Sequence, residues 1–375
     1  MTATLRRWLP VVLLLCLIGC GTRPDMRALS PIGEAAAPGT AITVHVATSR
    51  ARSAPDRNSF TNERSRATNF AAYTVSVPPG HRAGRIEWPG RQPDPAASFV
   101  TLRDSVLDAP AFEAELASRR CAPDAGQTMV FVHGYNTNFP EALFRLVQMA
   151  ADTDPRAVPI LFSWPSDALP LAYVADRDAA AYSRDNLAEL LTRLTQICPG
   201  RPVILVGHSM GGWLSMETLR QLRLAGRDQV LNALQVVLAS PDIDLDVFRA
   251  QARVIGPLTP PITVLVSSDD RALSVSSRLA GARPRLGSLS VEDPAVQQAA
   301  RESHLAIIDI SAMEASDRFN HDRYVSFANT YARLAAEGAI EPGGGLRRAG
   351  AFVFNAIGAT VSSPFRLAGR VLSPD

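Results

Sequence analysis

Six short apolar runs, separated by segments with helical periodicity, are the feature that most restricts what this chain can fold into. The runs begin at residues 128, 158, 202, 233, 262 and 305 and read TMVFV, VPILFSW, PVILVGH, ALQVVLAS, ITVLVSS and LAIIDIS. Between them lie segments such as AAAYSRDNLAELLTRLTQI, whose apolar residues recur at steps of three and four. This alternation predicts an α/β fold, a mostly parallel sheet with helices on both faces.

The region before these runs has a different pattern. Two strand-like stretches, AITVHVAT from residue 41 and a second over residues 72–77, flank a polar segment rich in Arg and Asn. The second stretch stops at the turn-forming sequence Pro-Pro-Gly at 78–80. This arrangement predicts an antiparallel N-terminal opening to the sheet, and we place one domain at residues 41–335.

The first twenty residues, MTATLRRWLPVVLLLCLIGC, are typical of an export signal. Arg6 and Arg7 precede an apolar run that is shorter than the ~20 residues needed to span a bilayer. The sequence Leu-Ile-Gly-Cys at 17–20 resembles the lipobox of bacterial lipoproteins, in which cleavage falls before the Cys and the thiol carries a diacylglycerol. We expect a signal peptide over 1–19 and an acylated Cys20 that holds the exported protein at a membrane of the bacterial cell envelope, on the periplasmic side if the cell is Gram-negative.

Two further segments flank the predicted domain. Residues 20–40 are rich in Pro, Gly and Ala without periodicity and are expected to form the anchor and a flexible spacer. Residues 336–375 form a tail in which Arg side chains flank an apolar middle and no acidic residue lies between Glu341 and Asp375. This pattern suits contact with anionic lipid, but packing across the domain and disorder fit the same residues equally well.

Two cysteines remain once Cys16 leaves with the signal and Cys20 is acylated. Cys121 and Cys198 each lie just upstream of an apolar run. In an oxidising compartment two leftover cysteines are a natural pair, so we predict a disulfide between them, with two unpaired thiols as the alternative.

A Gly-His-Ser-Met-Gly sequence at 207–211 follows the run PVILV and precedes a helical segment. This spacing is typical of a nucleophile elbow, where Ser occupies a sharp, strained turn and small residues on either side relieve the crowding between strand and helix. It predicts Ser209 as a nucleophile. The alternative is a Gly-rich turn that happens to contain Ser.

A serine hydroxyl needs a base to take its proton and a carboxylate to orient that base. His321 follows the last apolar run and is the predicted base, whereas His304 precedes that run and lies at the wrong end of the strand. The run ITVLVSS ends in Asp269 and Asp270, which gives the chain order Ser, Asp, His, although only one of these neighbours can face the imidazole. Asp242, after the run ALQVVLAS, is the alternative acid.

The oxyanion of such a reaction needs two backbone N–H donors, one from the residue after the nucleophile and one from an earlier strand-to-helix loop. The run TMVFV ends in His-Gly-Tyr-Asn at 133–136, and its Gly allows the loop to pass close to the nucleophile. We predict the N–H groups of Met210 and Tyr135 as the two donors.

With these parts in place the chain resembles the α/β-hydrolases. More narrowly, it resembles an uncharacterised family of bacterial envelope esterase/lipase-like proteins, with a likeness that spans residues 75–330. The motifs that carry the resemblance are F-V-H-G-Y-N at 131–136, F-S-W-P at 162–165 and G-H-S-M-G at 207–211.

The resemblance implies an α/β-hydrolase fold and Ser209 as the nucleophile. The family's S-x-x-D-x-A-L stretch falls on residues 267–273, which selects Asp270 over Asp269, and His321 matches the family's late histidine. The family's substrates are not defined, so the resemblance does not name the ester that is cleaved.

Several classes of function are disfavoured by the sequence. A net charge of +2, from 38 basic and 36 acidic side chains, gives no footprint for nucleic acid. No ligand spacing indicates a metal, and no G-x-G-x-x-G follows a strand, so we expect no cofactor. We predict a serine hydrolase that cleaves a small acyl ester or lipid at the cell envelope. The alternatives are a non-catalytic envelope scaffold or binding lipoprotein, and an acyltransferase or amidase with the same triad.

Overall fold

A ten-stranded sheet runs through the part of the chain that the computed structural model describes, residues 23–33, 38–336 and 353–355. In chain order its strands are β1 Thr40–Arg52, β2 Phe60–Val77, β3 Val100–Leu107, β4 Thr128–Val132, β5 Val158–Ser163, β6 Val203–His208, β7 Leu234–Ala239, β8 Ile262–Val266, β9 Leu305–Asp309 and β10 Val353–Asn355. Across the sheet the order is β10-β9-β8-β7-β6-β4-β5-β1-β2-β3.

The pairing confirms the predicted sheet. The six apolar runs form β4 to β9, and every neighbouring pair from β10 to β1 is parallel. The pairs β1–β2 and β2–β3 are antiparallel, which is the expected N-terminal opening. Strand β3 was not predicted from the sequence, because its stretch VTLRDSVL carries charges that a strand tolerates only at the edge of a sheet.

Helices follow the strands on both faces of the sheet. They are α1 Ala109–Arg120, α2 Phe139–Thr153, α3 Tyr173–Tyr182, α4 Arg184–Ile197, α5 Met210–Leu224, α6 Asp228–Asn232, α7 Leu245–Ile255, α8 Arg271–Leu279, α9 Pro294–Glu302 and α10 Arg323–Ala336. Two short 3₁₀ turns lie at Met26–Leu29 and Leu286–Ser288.

The sheet separates two hydrophobic cores, because neighbouring side chains of a strand point to opposite faces. In β4, Val130 and Val132 belong to the core covered by α1, α4 and α5, whereas Phe131 belongs to the core covered by α2 and α10. All three side chains are at most 1% exposed. A strand buried on both faces has to be apolar at every position, which explains the uninterrupted runs in the sequence.

Residues 23–33 differ from the flexible spacer that the sequence led us to expect. The Arg23 guanidinium pairs with the Glu141 carboxylate, with Nε 2.7 Å from Oε1, and donates to the carbonyl of Asn136 at 2.6 Å. Leu29 is 3% exposed. One bidentate ion pair and one buried Leu attach this segment to the domain, and a composition dominated by Pro, Gly and Ala does not reveal such anchors.

The two ends of the chain lie largely outside the described residues. The expected signal peptide at 1–19 and the acylated Cys20 fall there, as does most of the tail at 336–375. Within the tail, Val353–Asn355 pairs in parallel with β9 and extends the sheet at that edge. Among the described helices, none has both the length and the apolar character needed to cross a bilayer.

Cys121 and Cys198 are joined by a disulfide in the structure, with Cα atoms 5.8 Å apart. Cys121 follows the last residue of α1 and Cys198 the last residue of α4. Strand β4 follows Cys121 and strand β6 follows Cys198. The two strands are neighbours in the sheet, with Thr128 beside Val203. The bond therefore lies near the amino ends of the parallel strands, opposite the edge where the loops after them converge.

We expect the Cys121–Cys198 bond to stabilise the chain mainly by restricting the unfolded state. A bond across 77 residues corresponds to roughly 4 kcal/mol of unfolding free energy on the entropic model, as an upper estimate. The double variant Cys121→Ser/Cys198→Ser should unfold at a lower urea concentration than the wild type. Thiol titration of the denatured, unreduced protein should find neither thiol free, and two reactive thiols at these positions would contradict the pairing.

Candidate active site

Ser209 lies on a sharp turn between β6 and α5. Its backbone has φ 53° and ψ −120°, and residues other than Gly rarely adopt a positive φ of this kind. A Cβ on Gly207 would come within 2.6 Å of the Ser215 hydroxyl, and a Cβ on Gly211 would run into the carbonyl of His133. Only glycine fits on either side of this turn, as the spacing of the motif indicated.

Asp270 and His321 form a hydrogen-bonded pair. The Asp270 Oδ2 atom lies 2.7 Å from His321 Nδ1, and the carboxylate is fully buried. Its other oxygen accepts the backbone N–H of Leu273 at 3.0 Å and caps the N-terminus of α8. Because both carboxylate oxygens are engaged, the imidazole is held in one orientation with Nε2 left for another partner.

The surroundings of His321 raise the pKa of its imidazole above the ordinary value of 6.5. Burial by itself would lower the pKa, but the charge and hydrogen bond of Asp270 outweigh burial, and Asp317 adds to the effect. His208, in ring contact with His321 at 4.6 Å between centroids, has its pKa lowered well below 6.5 by burial and by the nearby His321. His208 is therefore the neutral partner of the two.

Asp269 faces away from the imidazole. Arg323 binds it with both terminal nitrogens, one of them at 2.9 Å from Oδ2, and Asn320 donates to the same oxygen at 2.9 Å. The Arg323 hydrogen bonds lower the pKa of Asp269 to about 2. Asp270 therefore both contacts the imidazole and caps α8, whereas Asp269, whose side chain is 51% exposed, pairs with Arg323.

The two alternatives from the sequence lie elsewhere. Asp242 is buried in its own network, where Arg285 Nε is 3.2 Å from Oδ1 and the Tyr173 hydroxyl donates to Oδ2 at 2.8 Å. Its backbone N–H donates to the Ser209 carbonyl at 3.1 Å, so this network borders the elbow without contacting the imidazole. His304 is exposed and precedes β9, at the end of that strand remote from His321.

Ser209 follows β6 and His321 follows β9, so both lie at the carboxyl edge of the sheet, and His208 contacts His321 there. His208 is the last residue of β6 and directly precedes Ser209, and its Nε2 atom lies 3.3 Å from the carbonyl of His321. Within the described residues, no hydrogen bond joins the Ser209 hydroxyl to the imidazole of His321. Such contacts are often long without substrate and tighten in the reacting complex.

The loop after β4 passes directly against the elbow. A Cβ on Gly134 would lie 2.9 Å from Ser209 Cβ and 3.0 Å from His208 Nδ1, so this position has room only for glycine. Tyr135 follows it in the same loop. Met210 is the first residue of α5, where backbone N–H groups lack intrahelical acceptors. Both predicted oxyanion donors therefore belong to segments that border Ser209.

Two supports of this loop were missed at the sequence level. Trp164 Nε1 donates to the His133 carbonyl at 2.8 Å, and the two rings stack with centroids 4.8 Å apart. The buried Asp176 carboxylate accepts the N–H of Asn136 at 3.1 Å and the Ser166 hydroxyl at 2.6 Å. The only signal for Asp176 was an acidic residue inside an apolar helical stretch, which by itself does not indicate a partner.

In the described part of the chain, no group of three or more His, Cys, Asp or Glu side chains is arranged to hold a metal ion. The chemistry that the site offers consists of a strained hydroxyl, a carboxylate-bound imidazole and backbone N–H groups. These are the parts of acyl transfer through a serine nucleophile.

A family model agrees with this description of the fold. A family model described as alpha/beta hydrolase of unknown function (DUF900) matches residues 108–337. No curated protein matches the chain. Similar solved structures include an acetylxylan esterase determined at 0.90 Å resolution, with 13% identity, a TM-score of 0.32 and coverage of 57% of this chain and 99% of that one. The catalytic core domain of acetyl xylan esterase from Trichoderma reesei has 9% identity and a TM-score of 0.30, and the match covers 57% of this chain and 95% of that one. A putative hydrolase from Agrobacterium vitis S4 has 13% identity and a TM-score of 0.29, and the match covers 72% of this chain and 95% of that one.

The assignment of Asp270 to His321 predicts how the imidazole titrates. The neutral imidazole should predominate only at a pH above 6.5, because the raised pKa keeps the proton on His321 to higher pH. Asp270→Asn removes the negative charge and leaves burial to dominate, so it should lower the pKa of His321. Nitrogen chemical shifts of ¹⁵N-labelled histidines measure this directly.

Asp269→Asn is the matched control, because it alters the neighbouring carboxylate without touching the imidazole. It should leave the His321 titration near that of the wild type. If Asp269→Asn shifted the pKa of His321 more than Asp270→Asn did, the carboxylate would be wrongly assigned.

Proposed function

The chain belongs to the α/β-hydrolase family of unknown function DUF900, and we propose that it is a serine hydrolase that cleaves carboxylic esters. The observation that carries this proposal is the buried Asp270–His321 pair, 2.7 Å between Oδ2 and Nδ1, at the same sheet edge as the strained Ser209 turn. A buried carboxylate that orients an imidazole and a nucleophile on a strained elbow are both features of serine hydrolases.

The reaction follows from the roles of these groups. The Ser209 hydroxyl attacks the ester carbonyl while His321 takes its proton, and the N–H groups of Met210 and Tyr135 bind the oxyanion. Collapse of the tetrahedral intermediate breaks the bond to the alcohol, which leaves with the proton from His321. Water then attacks the acyl-enzyme with His321 again as base, releasing the carboxylic acid and restoring the Ser209 hydroxyl.

A purely structural role does not account for the same features. The left-handed backbone of Ser209 costs free energy, and so does a buried carboxylate whose main partner is an imidazole. A scaffold or binding protein on this fold has no need of either feature. Their occurrence together at one sheet edge favours catalysis over the non-catalytic alternative.

We also propose that the enzyme is exported and held at the cell envelope by a lipid on Cys20. The support is the sequence at 1–20, with its basic start, short apolar run and Leu-Ile-Gly-Cys end. Two or more acyl chains give a stable membrane attachment, whereas one chain is marginal. Val353–Asn355 of the basic, apolar tail pairs with β9, and the remaining residues of the tail are a second candidate for contact with the same membrane.

Ser209→Ala should lower kcat for a p-nitrophenyl ester by about 10⁴- to 10⁶-fold, because the residue forms the covalent bond. His321→Ala should act alike, and Ser209 should be the residue labelled by a fluorophosphonate. His304→Ala, an exposed histidine at the far end of β9, should keep wild-type turnover. Unchanged turnover in a folded Ser209→Ala protein would remove the proposal, and circular dichroism verifies the folding of each variant.

Mass spectrometry of the protein extracted from membranes tests the anchor. The mature chain should begin at residue 20 with a diacylglycerol on the Cys20 sulfur, because cleavage and acylation are coupled at a lipobox. Cys20→Ser should keep the uncleaved signal and carry no lipid. A mature chain with an unmodified Cys20 thiol would contradict the proposed attachment.

A further inference from the structure

An apolar loop at the edge of the candidate site is exposed to water. Residues 168–175 read ALPLAYVA, eight residues without a charge, and connect β5 to the first turn of α3. Within this apolar loop, Leu169 is 59% exposed, Leu171 is 98% exposed and Val174 is 73% exposed. Large apolar side chains gathered on one exposed loop mark a surface that contacts something apolar.

Polar contacts hold the apolar loop in this position. The Tyr135 hydroxyl donates to the carbonyl of Leu169 at 3.3 Å and also to that of Pro170. At the other end, the Tyr173 hydroxyl donates to Asp242, whose N–H donates to the Ser209 carbonyl. The apolar loop is therefore bonded to Tyr135 in the loop after β4 and, through Asp242, to the turn at Ser209. Its exposed apolar side chains face water.

The N-terminal segment brings the proposed lipid anchor to the same place. Arg23 donates to the carbonyl of Ala168, the first residue of the apolar loop, at 2.7 Å and to the Asn136 side chain at 2.8 Å. Arg23 follows Cys20 by three positions along the chain, so the Cα atoms of these two residues can be at most roughly 11 Å apart. A bilayer holding a lipid on Cys20 would have its surface next to the apolar loop.

Other exposed apolar side chains lie at the same edge of the sheet. Phe319, two residues before His321, is 42% exposed, and Val275, one turn after the Asp270 cap of α8, is 51% exposed. The segments that carry the proposed acid and base thus also present apolar groups to solvent.

We propose that the apolar loop inserts into the lipid bilayer that holds Cys20, and that the substrate is an acyl ester residing in that bilayer. The substrate part of this proposal rests on the proposed ester hydrolysis, whereas the insertion does not. The occupant is a lipid surface because Arg23, three positions after the proposed lipid anchor at Cys20, donates a hydrogen bond to the carbonyl of Ala168 in the apolar loop. An acyl ester entering from such a surface meets the elbow and the oxyanion loop without crossing water.

Fluorescence quenching by lipid measures the insertion without catalysis. The full chain with Leu171→Trp is reconstituted into vesicles of phosphatidylethanolamine and phosphatidylglycerol whose acyl chains are brominated. Leu224→Trp is the matched control, because Leu224 is 63% exposed and ends α5, roughly 22 Å along the helix from the elbow. We expect quenching in excess of the wild type for Leu171→Trp and none for Leu224→Trp.

Activity measures the substrate class. Leu171→Asp/Val174→Asp should lower the ratio of hydrolysis of a vesicle-embedded acyl ester to hydrolysis of a water-soluble short ester by about tenfold or more, because each side chain loses the favourable transfer into lipid. Leu224→Asp should leave this ratio unchanged. An equal ratio in both variants would overturn the bilayer as the source of substrate.

The outcomes separate the two proposals. Quenching of Leu171→Trp in a protein without ester hydrolysis would keep the insertion and remove the chemistry. Absence of excess quenching in an active esterase would overturn the insertion, and would leave a protein partner as the other occupant of the apolar loop. Equal quenching of Leu171→Trp and Leu224→Trp would overturn the assignment to this loop.

Discussion

The parallel pairing of β4 with β6 is the constraint on which the rest of the site depends. It aligns Val132 with Gly207, so the loop after one strand and the turn after the other emerge side by side. At that separation the backbones nearly touch, and Gly134 is the position where a Cβ would strike Ser209. Because glycine is present there, the Ser209 hydroxyl and the N–H of Tyr135 can approach the same carbonyl group of a substrate, the hydroxyl at its carbon and the N–H at its oxygen.

The proposed acid and base follow strands farther along the same sheet. Asp270 ends the segment after β8 and His321 the segment after β9, and β8 and β9 are neighbours. In the interior, the Asp270 carboxylate has two partners, the Leu273 N–H in the first turn of α8 and the His321 imidazole. A fold that positions strand ends in this order therefore brings Asp270, His321 and Ser209, the proposed acid, base and nucleophile, to one edge, while each residue is fixed by its own local structure.

How much the sequence predicted depends on the range of the interaction involved. The strands β4 to β9 follow from burial on both faces, which leaves an apolar run that can be read locally. The elbow at Ser209 follows from backbone geometry, which restricts residues two positions away on either side. Long-range polar pairing has no local signal: Arg323 lies 54 positions from Asp269, and its ion pair with Asp269 holds that carboxylate in place. The ion pair of Arg23 with Glu141, across 118 positions, is another long-range pairing. The composition of residues 20–40 does not reveal it and predicted a flexible spacer instead.

We propose that Ser209, the loop after β4 and the Asp270–His321 pair act on one acyl group. A crystal structure of the protein inactivated by a phosphonate ester is the sharpest test, because the adduct mimics the tetrahedral intermediate. We expect a bond from Ser209 Oγ to phosphorus, with one phosphonyl oxygen about 2.7–3.1 Å from the N–H groups of both Met210 and Tyr135. A phosphonyl oxygen that contacts neither N–H, or an adduct on another residue, would show that these groups do not act together.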